Sequence, residues 1–254
     1  MLTISESQLA AWLSPLFWPF LRTLAVFTSA PVFSSRAFPL RAKIALAFLI
    51  AVAAQASLPE MPVIALDSAS AFGAVAQQVG VGLAIGFAVR LVFSAVELAG
   101  EVIGFQMGLN FASFFDPMIN AQSSATARFF GQIAALLFLA VNAHLWLVMA
   151  ITQSFHAFPV DQNFLHAAQG MAMYQLGAEL FASALWIALP MVGIMLFVNL
   201  ALGIISRVAP QMNIFAVGFP VTLVVGMLGI AATLPMLDRP YMALMEKAIT
   251  VFHG

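Results

Sequence analysis

The stretch FGAVAQQVGVGLAIGFAVRLVFSAV, Phe72 to Val96, holds a single charge, Arg90, and runs on without a proline into ELAGEVIGFQMG, which ends at Gly108. A helix needs about 20 apolar residues to cross the hydrocarbon layer of a membrane, and this run supplies them. Five further apolar runs accompany it: Leu9 to Phe33, Ile44 to Leu58, Phe129 to Ile151, Leu180 to Ile205 and Phe215 to Leu234, of which Ile44 to Leu58 is short for a crossing and ends at Pro59. The fold expected is all-α, with about six apolar helical segments joined as hairpins.

Composition leads to the same class. Of 254 residues, 63% are hydrophobic, and nine Lys+Arg stand against ten Asp+Glu. Charged residues make up 7% of the chain, against roughly a quarter in an ordinary soluble domain. So few charges cannot clothe a molecule of this size in water, and most of its exterior must face lipid or other subunits. Disorder is excluded because it needs low hydrophobicity, and a nucleic-acid partner because it needs a cationic field. Without cysteine there is no disulfide framework and no thiolate metal site. No repeat or linker divides the chain, so residues 1–254 read as one domain.

Several residues fit poorly with simple lipid-facing spans. Pro15, Pro19 and Arg22 interrupt the first run, Pro190 and Asn199 the fifth, and Pro220 the sixth. In the third, Arg90, Glu97 and Glu101 are spaced by seven and four residues. At 100° per residue they fall within about 40° of one another on one helix face. Ionisable groups in such a segment face protein or water rather than lipid. Three readings are open: a structural Arg–Glu pair, a proton or ion relay, and a contact with another subunit. Gly100, Gly104 and Gly108, with Gly82 and Gly86, remove side chains at four-residue spacing, so neighbouring backbones can approach closely.

The segment after Gly108 is the most unusual. Phe111, Phe114 and Phe115 precede Asp116-Pro117 and then the small polar run Gln122, Ser123, Ser124 and Thr126. Pro117 disfavours helical geometry at Asp116, so a loop carrying three aromatics is expected. Irregular backbone at membrane depth is tolerated where it lies in protein or lines a water-filled cavity. The loop therefore reads either as a plug or as an interfacial anchor seated at the headgroups.

Catalytic constellations are poor. No HExxH pair, Gly-x-Ser-x-Gly elbow or P-loop lysine motif occurs, and no cofactor or metal site is expected. His144 reads more simply as an interhelical hydrogen-bonding group than as a ligand. The 14 methionines read as core fillers or as a soft lining.

A family resemblance rests on the blocks Pro31-Val-Phe-Ser-Ser-Arg36-Ala-Phe-Pro39-Leu-Arg41, Gly82-Leu-Ala-Ile-Gly86-Phe, Gln106-Met-Gly108-Leu and Asp116-Pro117. It continues through His144-Leu, Ser154-Phe155 and Pro159 to Asn199-Leu-Ala-Leu-Gly203-Ile-Ile-Ser-Arg207-Val-Ala-Pro210-Gln-Met-Asn213 and Gly218-Phe-Pro220. The chain resembles the FliR family, the R subunit of the flagellar type III export gate, which is similar to the T subunit of virulence injectisomes. The resemblance implies assembly with P and Q subunits, beside B and A components, into a helical hetero-oligomer in the bacterial inner membrane. That assembly sits at the flagellar basal body, displaced toward the periplasm, and passes unfolded flagellar subunits. It implies bent, packed hairpins with lipid as a lesser neighbour. It maps a plug onto residues 106–122, with Gln106, Met107, Asn110, Phe111, Phe114, Phe115, Asp116 and Pro117 gating. Gly82, Gly86, Arg90, Glu97, Gly100, Glu101, Gly104, Gly108, Arg207, Pro210 and Asn213 are then expected at helix or subunit contacts. The alternative from another class is a stand-alone small-solute secondary transporter. That class should show inverted repeats around a midplane site, and no convincing repeat is present.

Overall fold

A computed structural model describes residues 6–64, 69–109, 124–161, 173–211 and 214–252. The helices are α1 (Glu6–Ser29), α2 (Pro31–Ser34), α3 (Leu40–Ala54), α4 (Ala69–Gln106), α5 (Ala125–Ala140), α6 (Ala143–Ala157), α7 (Met173–Val208), α8 (Ile214–Thr233) and α9 (Asp238–Thr250). No strand occurs among the described residues, and the fold is all-α, as expected.

The apolar runs become helices, with two informative differences. First, the helices outgrow the runs. α4 has 38 residues and α7 has 36, which at 1.5 Å per residue is about 57 and about 54 Å. Both overshoot a hydrocarbon layer of about 30 Å. α7 continues through Pro190 and α8 through Pro220, as α1 does through Pro15 and Pro19. Second, the fourth run is broken. α5 and α6 meet at a bend of 71°, where Asn142 adopts the left-handed conformation with φ 55°. Asn tolerates that region better than most residues. The Asn142 amide donates to Leu139 O at 3.1 Å, and Asn142 O accepts from the Leu145 amide at 2.9 Å. The break therefore leaves these backbone groups paired.

The chain packs as two compact units. The first comprises Met1–Leu91, Phe138–Leu176 and Met245–Gly254; the second comprises Val92–Leu137 and Gly177–Leu244. In the first, α3 presents the small buried residues Ala47, Ala51 and Ala54 on one face, and α3 packs on α1. Phe27 stacks on Phe33 with centroids 4.4 Å apart, and Phe138 meets Phe33 edge-on at 6.4 Å. In the second, Phe93, Ile103, Met107, Phe130, Met191 and Met195 are buried, and Phe93 lies edge-on to Tyr241 at 6.3 Å.

Burial divides the long helices into two kinds. Of the most apolar stretch of α4, 56% is buried, against 17% for α7 and 22% for α8. α4 is a core helix by this measure. α7 and α8 each bury one narrow stripe and leave the rest bare: Ala184, Ala188, Met191 and Met195 on α7, and Gly218, Thr222, Gly226 and Gly229 on α8.

Candidate functional site

The N-terminal half of α4 receives α1 on a face where Gln78, Gly82 and Gly86 recur every four residues. A methyl group on Gly82 would lie 2.5 Å from Arg22 O and 2.7 Å from Ala25 Cβ. One on Gly86 would collide with Ser29 Oγ and lie 2.8 Å from Val26 O. The expected close approach of a backbone is thus made by α1, within the chain.

That approach sets up a polar node absent from the expected site residues. Arg22 on α1 is fully buried. Its Nε donates to Gln78 Oε1, one Nη to Ser154 Oγ and the other to Phe158 O, each at 2.8 Å. The guanidinium carbon lies 3.6 Å from the centroid of the Phe155 ring. Gln77 extends the node: its amide donates to Pro159 O at 3.1 Å, and its Oε1 accepts from the Asp161 amide at 2.8 Å. A buried cation is costly unless hydrogen-bonded, and here three neutral acceptors and a ring face take up the charge. The node ties α1, α4 and the end of α6 together. Its clue in the sequence was Arg22, read there only as an interruption of the first apolar run.

In the second unit, α4 packs on α5. Gly100 and Gly104 are buried, and a methyl on Gly100 would lie 2.8 Å from Phe130 Cβ. Glu101 is half-buried and accepts a hydrogen bond from Ser124 Oγ just before α5 begins. Glu97 lies against Gly131, where a methyl group would come within 2.7 Å of its Oε1. Arg90 is exposed.

α4 ends at Gly108, whose φ of 78° is the left-handed value that favours glycine and stops a helix. The preceding residue is gripped by α8. Met107 is buried, its carbonyl accepts from Thr222 Oγ1 at 3.2 Å, and its side chain rests on Gly226. Gln106 is half-buried. Asn110, Phe111, Phe114, Phe115, Asp116, Pro117 and Asn213 lie outside the described residues. Arg207 and Pro210 are exposed at and beyond the last turn of α7, where a cation complements the helix dipole. His144 is half-buried, and its Nδ1 has no hydrogen-bond partner among the described residues.

The sequence model of bacterial export proteins, family 1, matches residues 13–248. The chain belongs to that export family. The match runs through both compact units and includes Arg22 with its partners, the glycines of α4 and the contacts of Met107. Within the family, the flagellar biosynthetic protein FliR of Escherichia coli K12 is 41% identical over 239 residues, covering 93% of this chain and 90% of its own. The FliR of Pectobacterium carotovorum is 40% identical with the same coverage. That of Bacillus subtilis is 34% identical, covering 81% of this chain and 80% of its own. The likeness therefore extends over nearly the whole length of both partners.

Proposed function

We propose that this chain is an inner-membrane component of the flagellar protein-export gate, joining small hydrophobic P and Q subunits to form the path taken by unfolded flagellar subunits. The observation that carries the reading is the family match over residues 13–248, together with relatives named flagellar biosynthetic protein at 90% coverage of their own length. The geometry supports it. Helices of 36 and 38 residues are too long for a simple crossing, and α7 leaves Phe181, Trp186 and Phe197 largely exposed on an apolar surface. Asn199 is exposed on the same helix; a polar amide is a poor neighbour for lipid but an acceptable one for protein. Partner subunits supply that cover, with B and A components nearby.

The segment from Gln106 to Gln122 serves as the plug of this path. Deleting Phe111 to Phe115 tests it: the assembled complex should then leak small ions. Unchanged leakage would return the three aromatics to headgroup anchoring.

A further inference from the structure

We propose that the hairpin of α1 and α3 holds an anionic phospholipid, with one acyl chain in a cavity between the two helices and the phosphate on Arg41 at the start of α3. The proposal goes beyond the export-gate reading and needs only that the chain sits in a membrane.

A cavity of about 210 Å³ lies within the first unit, walled by Leu13, Leu16, Phe17 and Phe20 of α1, Phe48 of α3 and Ile64 beyond it. Ser14 supplies the one hydroxyl of its lining. A water held in such a space needs about two to four polar partners, so water is a poor occupant. Hydrocarbon is a good one, since an apolar cavity of roughly 150 Å³ already takes up benzene. Leu13 is 52% and Phe48 49% exposed. The cavity therefore opens at the surface, where a chain can enter it from the surrounding lipid.

The direction of the ligand is set by α3. Arg41 and Phe48 are seven residues apart, so they fall within about 20° of one another on one helix face and about 10 Å apart along its axis. Arg41 is exposed, and so are Ile44 and Ala45 between them. A basic head, a bare apolar strip and the cavity thus follow one another down a single face. α1 contributes its wall at the same depth. The two helices pack together and are joined by residues 30–39, so they run antiparallel. Phe20 lies nine residues before the end of α1 and Phe48 eight residues after the start of α3, which is about 14 and about 12 Å from the turn.

Charge selects the headgroup. Arg36 and Lys43 flank Arg41 in sequence, and no acidic residue occurs between Glu6 and Glu60. Among the described residues, no side-chain hydrogen bond or ion pair is made by Arg36, Arg41 or Lys43. Basic residues at a membrane surface attract anionic headgroups. An apolar side chain of a partner could fill the cavity, but it would leave these cations unmatched.

The test extracts the full chain in mild detergent with whatever subunits accompany it and adds dioleoyl phosphatidylglycerol and dioleoyl phosphatidylcholine in equal amounts. Native mass spectrometry then counts each lipid retained. We expect phosphatidylglycerol to be retained in preference, and Arg41→Gln to lower its retention about fivefold, the share of one basic residue at an anionic surface. Arg41→Lys should keep most of it. Leu13→Trp, which fills the mouth of the cavity, should lower it as well; should that variant not be recovered, Phe48→Ala, which removes the α3 wall, takes its place. Arg128→Gln, which removes an exposed positive charge from α5, should change nothing. Equal retention of the two lipids, or retention unmoved by Arg41→Gln, would overturn the proposal. Loss with Arg41→Gln but not with the cavity variant would reduce the site to a headgroup contact and refute the acyl-chain cavity. No lipid retained on the intact particle would give the cavity to a partner's side chain and refute the proposal outright.

Discussion

Arg22 shows what a single residue can hold together. It makes three hydrogen bonds to groups on α4, on α6 and just beyond α6, all within the first unit. Truncation would strand Gln78 Oε1 and Phe158 O without a donor, so the loss exceeds that of the contacts alone. Arg22→Met should therefore destabilise the protein by about 3 kcal/mol, and Arg22→Lys by less, because a lysine retains a donor but not the fork. Thermal unfolding of the purified complex, read by intrinsic tryptophan fluorescence, checks both. Equal melting temperatures for wild type and Arg22→Met would mean that the node carries no net stability. The sequence showed Arg22 as an oddity and nothing more. Its partners are 56, 132 and 136 residues away, and helical periodicity carries no information at that range.

Among the elements, α4 was the most legible. Its apolar length announced a helix and its glycines announced close packing. Which neighbour they admit was not legible, because a four-residue glycine spacing says that a backbone approaches without saying whose. The structure gives α1 to Gly82 and Gly86, and α5 to Gly100. Gly86→Leu should separate α1 from α4 and cost about 1–3 kcal/mol, the range for overpacking a well-filled interior. Gly177→Ala on α7, where a methyl meets nothing within 4 Å, should be neutral or stabilising by up to about 1 kcal/mol. Limited proteolysis of the two variants side by side would order them. The bend at Asn142 escaped the sequence reading for a different reason. A left-handed residue leaves no mark on the hydrophobic pattern, so the run Phe129 to Ile151 looked continuous. The end of α4 was half legible: Gln106 to Gly108 stood out, whereas Thr222 and Gly226, more than a hundred residues on, had no local signal.

For the whole molecule, scarcity of charge meant only that water could not be the main neighbour. The folded chain narrows that statement to particular helices, since α7 and α8 are bare where α4 is covered. Lipid and protein would treat such faces differently. A methyl at Gly193 or Gly203 meets nothing within 4 Å in this chain, so a leucine at either position should leave the chain folded. If partner subunits cover α7, the same leucines should lower recovery of the assembled complex by about tenfold, as a side chain of that size in a close interface costs about 1–3 kcal/mol. If lipid covers it, recovery should not change. The most direct test of the account is gentle detergent extraction of the native protein followed by mass measurement of the intact particle. The account predicts a large hetero-oligomer in which this chain co-purifies with two other kinds of small hydrophobic subunit; a stable monomer that moves small solutes on its own would contradict it.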